Sequence, residues 1–210
     1  MKAPIDNFWH QRFDQADYFY GKEPNDFLRS QVHHLPACGQ VLSLGEGEGR
    51  NAVYLASLGY EVTAVDNAAS GLEKIQRLAE EKQVKVNTVL ADLSDYDLGT
   101  QQWDAIISVF CHLPLPVRQA VHKQIYTALK PNGIFLLEAY RPEQLEYKTG
   151  GPSNVELLYK ASDIAAELAP LALDYVAEAQ RYIHEGQGHQ GQSAVLQVVA
   201  SRRKLPTANS

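Results

Sequence analysis

The sequence predicts an α/β fold: a doubly wound, seven-stranded, mostly parallel sheet with a C-terminal antiparallel hairpin and N-terminal helices. Three observations predict it. Apolar runs of strand length alternate with stripes of helical period, the pattern of a parallel sheet covered on both faces. A glycine-rich turn, Gly45 to Gly49, follows the first run and opens a helix. Gly186, Gly188 and Gly191 separate two closing strand patterns, which reads as a hairpin.

The elements follow in order. Two helices are expected near Ile5 to Asp17 and Pro24 to His34, where His33 and His34 complement the second helix's dipole. Val41-Leu42-Ser43-Leu44 is a buried strand. Arg50 to Leu58 reads as a helix stopped by Gly59. Glu61 to Asp66 is the second strand, and Ala68 to Gln83 a helix with Leu72, Ile75, Leu78 and Ala79 on one stripe. Val84 to Leu90 and Trp103 to Phe110 are further strands. Val117 to Leu129 is helical, Lys130 to Gly133 a turn, and Ile134 to Glu138 the fifth strand. Arg141 to Lys160 reads as a long binding loop or lid. Leu173 to Ile183 and Ala194 to Ala200 form the hairpin, and right-handed crossovers set the winding.

Composition narrows the class. The chain has 210 residues, 45% hydrophobic and 21% charged, which suits one domain over 1–204 with a disordered 205–210 tail. No apolar run approaches the roughly 20 residues of a membrane span, and the N-terminus lacks a signal-peptide core. Two cysteines imply no disulfide framework, so a cytoplasmic setting fits. A net charge of −6 disfavours nucleic acid and leaves a small-molecule partner. Monomer and homodimer both fit, and no metal-ligand spacing appears.

The glycine turn lets a ligand approach the backbone where a helix begins. Asp66 ends the second strand 21 positions beyond Gly45, about where a carboxylate binds ribose hydroxyls. An NAD fingerprint wants glycine or alanine where Arg50 stands. Glu46 and Glu48 would also repel a pyrophosphate, by roughly 4 kcal/mol at ~4 Å and a surface-like dielectric. A cationic nucleoside such as S-adenosylmethionine (SAM) suits an acidic turn, which disfavours an NAD-type dehydrogenase. A non-catalytic SAM-binding module is a further alternative.

Val41 to Gly49 resembles the first motif of class I SAM-dependent methyltransferases, which have a Rossmann-like methyltransferase fold. Ser43 stands where the family usually has an acid, and Glu46 offers a replacement. The resemblance implies that Asp66 binds ribose and that Asp92, in Ala91-Asp92-Leu93, accepts from the adenine amino group. Trp103 to Ser108 and Leu129 to Ile134 match later motifs. A narrower likeness runs to tellurite-resistance and thiopurine methyltransferase-like proteins, which act on small molecules. Phe8-Trp9, Phe13, Tyr20 to Asn25 and Gly49 to Leu55 carry it, and it implies N-terminal helices that lid the cofactor. Together the turn and the resemblance give a cofactor set of Tyr20, Gly45, Glu46, Gly47, Gly49, Arg50, Asn51, Asp66, Asn67, Asp92, Leu93 and Phe110.

Methyl transfer from a sulfonium is an in-line displacement that positioning accelerates. His112, beyond the fourth strand, reads equally as a base and as a capping or adenosine-packing histidine. Tyr140 and Tyr147 read as walls of an acceptor site or as surface aromatics. Arg181, His184 and His189 become acceptor contacts if the penultimate strand runs parallel to the rest, and otherwise decorate a solvated hairpin. Acceptor classes consistent with this reading are thiols, purines and chalcogen oxyanions.

Overall fold

The computed structural model describes residues 8–203. The expected tail and the start of the first predicted helix lie outside them. The elements run α1 (Phe8–Phe13), α2 (Asp26–Gln31), β1 (Gln40–Leu44), α3 (Arg50–Ser57), β2 (Glu61–Asp66), α4 (Ala69–Glu81), β3 (Val86–Leu90), β4 (Trp103–Val109), α5 (Leu115–Ala128), β5 (Leu129–Tyr140), α6 (Gln144–Tyr147), α7 (Ala161–Leu168), β6 (Ala172–Glu185) and β7 (His189–Ser201).

The strands form one seven-stranded sheet in the order β3-β2-β1-β4-β5-β7-β6. Strands β1 to β5 pair in parallel. Strand β7 is antiparallel to both β5 and β6, so β6 runs with the parallel set. The order reverses between β1 and β4, where open α/β sheets form a crevice beyond the strand ends.

Strand alternation sorts the core into two layers. Leu42, Leu44, Ile106, Phe135 and Leu137 face one side with Val121 and Ile125 of α5 and Ile164 and Leu168 of α7. Val41, Val62, Ala105, Ile107 and Leu136 face the other, under α2, α3 and α4. Each fully buried Leu or Ile contributes about 1.5–3 kcal/mol, so each layer is held by many modest terms.

Three expectations need correction. Helix α7 occupies chain where the sequence pattern gave no element; only Ile164 and Leu168, one helical repeat apart, are deeply buried there. The supposed long loop also carries α6 and a 3-10 turn at Val155–Leu157. The Lys130–Gly133 turn is absorbed into β5, which bulges opposite Trp103 to Ala105 with Asn132 at φ 67°.

The N-terminal segment is fastened across the top of the sheet by a buried carboxylate. Glu48 accepts from the backbone N–H of Phe19 and of Tyr20, each at 3.1 Å, and from Lys74 Nζ at 2.7 Å. Both charged side chains are 2% exposed, so neither has water to fall back on. Lys74 also donates to the Asp17 carbonyl at 2.6 Å, and Ser70 Oγ donates to the His10 carbonyl at 2.7 Å. Removing one partner of a buried pair costs about 3–5 kcal/mol. Lys74→Met is therefore expected to destabilise the fold by that amount in urea denaturation and to raise amide exchange at Phe19 and Tyr20. A loss too small to resolve would show that the pair does not secure this segment.

Candidate active site

A cleft opens beyond the carboxyl ends of β1, β2 and β4. It encloses about 820 Å³, mouth included, within the usual range for small-molecule sites. Tyr20, Gly45, Glu46, Gly47, Arg50, Asn51, Asp66, Asn67, Asp92, Leu93, Phe110, His112 and His189 line it, as do Trp9, Phe13 and Cys111. A second, larger cavity of about 1510 Å³, mouth included, adjoins it and shares Trp9, Tyr20, Phe110, His112 and His189.

The turn is built by its own side chains. Gly45 sits at φ 58°, and a Cβ there would lie 2.5 Å from Cys111 Sγ, so only glycine admits the close return of the chain. Glu46 spans the turn: its carboxylate accepts from the backbone of Asn51 at 3.0 Å and Ala52 at 2.9 Å, and from the Ser43 hydroxyl. It thereby satisfies the orphan N–H groups at the start of α3. Burial pushes its pKa up, against these hydrogen bonds. Asp66 accepts from Gly47 N–H and Ala68 N–H, at 2.8 and 2.9 Å, and burial raises it too. Asp92 is more open and held low by the Ser94 backbone N–H, with Asn67 also bonding it.

Phe110 departs from β4 at φ 53°, a left-handed conformation that a bulky residue adopts only when its surroundings enforce it. Its ring then stacks on Tyr140 at 4.6 Å and meets His189 edge-on at 4.5 Å.

Several predicted roles change. Gly49 does not line the cleft; at φ 99° its missing Cβ makes room for Ile75, 2.9 Å away, so it serves helix packing. Glu48 points to the N-terminal segment, which leaves Glu46 as the turn carboxylate that faces the cleft. His112 has no ring nitrogen to spare: Nδ1 bonds the Leu157 carbonyl at 2.9 Å, and Nε2 accepts from Tyr140 N–H at 3.3 Å. Burial pulls its pKa down to about 4. It braces the end of β5 and is unsuited to be a base. Tyr140 is fully buried beneath Phe110, behind the wall rather than on it. Tyr147 and His184 line neither cavity. Arg181 turns inward and bonds Glu138 through Nε at 2.9 Å and Nη2 at 2.7 Å, which raises its pKa despite burial.

That inward turn exposes a network that the motifs did not suggest. Glu138, fully buried in β5, also accepts from Asn25 Nδ2 at 2.6 Å and Gln197 Nε2 at 2.7 Å. Glu185 accepts from Asn25 Nδ2 and Arg181 Nη2, and pairs with Arg50 Nη2 at 2.7 Å. Burial pushes Glu185 up, but His189, Arg50 and Arg181 together hold it below the usual carboxylate range. His189 Nδ1 lies 3.6 Å from Glu185 Oε2, and its ring packs on Tyr20 at 4.4 Å. Burial holds His189 below the ordinary histidine pKa, partly countered by Glu185. The sequence signal was available: a glutamate inside the apolar run Phe135-Leu136-Leu137-Glu138-Ala139-Tyr140 needs partners.

Comparison with known proteins agrees with this fold. Residues 41–133 match the family described as a methyltransferase domain. A Haemophilus influenzae protein named "Probable S-adenosyl-L-methionine-dependent methyltransferase TehB" is 33% identical over 98 residues, covering 45% of this chain and 34% of the relative. An uncharacterized Bacillus subtilis methyltransferase, YbaJ, is 31% identical over 46% of this chain and 38% of its own length. The chain thus spans about a third of the length of the curated relatives it matches. The solved TehB of H. influenzae superposes with a TM-score of 0.68 at 19% identity, over 85% of this chain and 62% of that one. A SAM-dependent methyltransferase of Aquifex aeolicus gives 0.68 at 18% identity, over 91% and 97%. Among the described residues no helix is long and apolar enough to cross a membrane.

The His112 arrangement has a stability consequence. Its pKa falls on folding from 6.5 to about 4, so the unfolded chain binds the proton more readily. Stability is therefore complete above pH 6.5 and declines as pH falls toward 4. The loss is roughly 3 kcal/mol, at 1.36 kcal/mol per pKa unit. His112→Gln is expected to flatten that acid limb in denaturation curves collected across the window; an unchanged slope would contradict the assignment.

Proposed function

Taking residues 41–133 as a class I, SAM-dependent methyltransferase domain of the TehB-like branch, we propose that the chain methylates a small molecule held in the second cavity. The observation that carries this reading is the shared wall of Trp9, Tyr20, Phe110, His112 and His189 between the cofactor cleft and that cavity. A module that only bound SAM would have no need of an adjoining chamber.

The residues present fit the cofactor. Arg50 Nη1 is buried on the cleft wall without a hydrogen-bond partner, as suits a group awaiting the methionine carboxylate. Asp66 keeps lone pairs for ribose hydroxyls, and Asp92, with Asn67, offers the adenine end a carboxylate. Glu46 places negative charge near the cationic end. SAM supplies an activated methyl on a sulfonium. The protein's task is then to orient an acceptor and exclude water, which Trp9, Tyr20 and Phe110 do as a flat apolar collar. No covalent nucleophile is required, and Cys111 is unfit for that role because burial pushes its thiol to about 12.

Where the acceptor carries a proton, His189 is the group to take it. It borders both cavities, is neutral near pH 7, and has Nδ1 turned toward Glu185, which leaves Nε2 available. Thiols, purines and chalcogen oxyanions remain the acceptor classes to screen, with S-adenosylhomocysteine as the readout.

Two outcomes test the reading. Asp66→Ala is expected to weaken SAM binding by about 1–3 kcal/mol in calorimetry, because ribose hydroxyls and the Gly47 N–H lose a partner; unchanged affinity would refute the cleft assignment. His189→Ala is expected to lower kcat on a protonated acceptor by about 10²-fold or more while SAM affinity stays near wild type. Full activity in that variant would remove His189 from the chemistry.

A further inference from the structure

We propose, resting on the methyltransferase reading above, that the second cavity selects organic acids: acceptors with an apolar body and an anionic group remote from the methylated atom. Three features of the cavity point there. Its space of about 1510 Å³, open mouth included, is far more than a bare inorganic oxyanion fills. Phe8, Trp9, Phe19 and Phe110 supply aromatic wall. The charged residues on the lining are Arg12 and Lys148, and no carboxylate lines it among the described residues.

The placement of those cations matters as much as their sign. Neither lines the cofactor cleft, so the positive charge lies away from the collar where the methyl is delivered. The Arg12 guanidinium is held over the Phe8 and Phe19 rings, at 4.6 and 4.5 Å. Ring faces fix its position and leave its N–H groups for a ligand. Lys148 follows α6 in the left-handed region, at φ 56°, which fixes its backbone at the cavity rim. Among the described residues neither Arg12 nor Lys148 pairs with a carboxylate, whereas Arg50, Arg118, Arg141 and Arg181 all do. Unpaired cations beside aromatic rings favour an anion and penalise a cation of the same shape.

Calorimetry on the full chain with S-adenosylhomocysteine present tests this without requiring turnover. The probes are 3-phenylpropanoate, 3-phenylpropanamide and 3-phenylpropylammonium, which differ in charge on one scaffold. The acid is expected to bind about tenfold tighter than the amide, and the ammonium weakest. Arg12→Gln and, separately, Lys148→Gln are expected to erode the preference for the acid and leave amide binding unchanged. Equal binding of acid and amide, tighter binding of the ammonium, or no binding of any probe would overturn the inference. An identical acid preference in both variants would do so as well. Failure of the wild-type chain to bind SAM would instead overturn the methyltransferase reading, so the two are separable.

Discussion

A carboxylate sealed inside a sheet must find its hydrogen-bond donors in the protein, and Glu138 sets that condition for much of this molecule. Its donors come from Asn25 before α2, Arg181 on β6 and Gln197 on β7. Two of these donors, Asn25 and Arg181, also reach Glu185, and Glu185 reaches Arg50 at the start of α3. One buried charge thus ties the N-terminal segment, the glycine turn and the closing hairpin to the middle of β5. Such a network need not add net stability over an apolar substitute, but it penalises any arrangement that leaves a member unpaired. Its effect is to fix where the hairpin tip lies, and His189 is on that tip.

The acidic residues of the glycine turn divide their work. Glu46 faces inward and organises the start of α3; Glu48, two residues on, faces the other way and fastens the segment that roofs the cleft. The carboxylates that border the cleft are therefore those of Glu46, Asp66 and Asp92, and not the pair of glutamates in the turn. The roof and the floor of the cleft are consequently parts of one hydrogen-bonded unit.

The sheet was legible because alternation and helical stripes are local signals, and the apolar positions of β1, β2 and β4 leave little freedom. The glycine turn between β1 and α3 was legible because glycine at fixed spacing reports backbone geometry directly. Side-chain direction is a different matter. Nothing local distinguishes Glu46 from Glu48, or tells that His112 spends both nitrogens on Leu157 and Tyr140. Arg181 looked like a surface contact because its partner Glu138 lies 43 residues away. Helix α7 escaped because its alanines give no contrast between faces. What the pattern could not supply was long-range pairing, and the polar interior is made of little else.

Strand β7 lies between β5 and β6, although it follows both in the chain. During synthesis from the N-terminus, β6 leaves the ribosome with no strand to join, since its neighbour in the finished sheet has yet to be made. The edge of β5 stays open for the same interval, and Glu138 waits without Gln197. Completion of the sheet is then a late, insertion-like event, and a nascent chain halted before β7 would present the open edge of β5 and a wholly unpaired β6 to its surroundings.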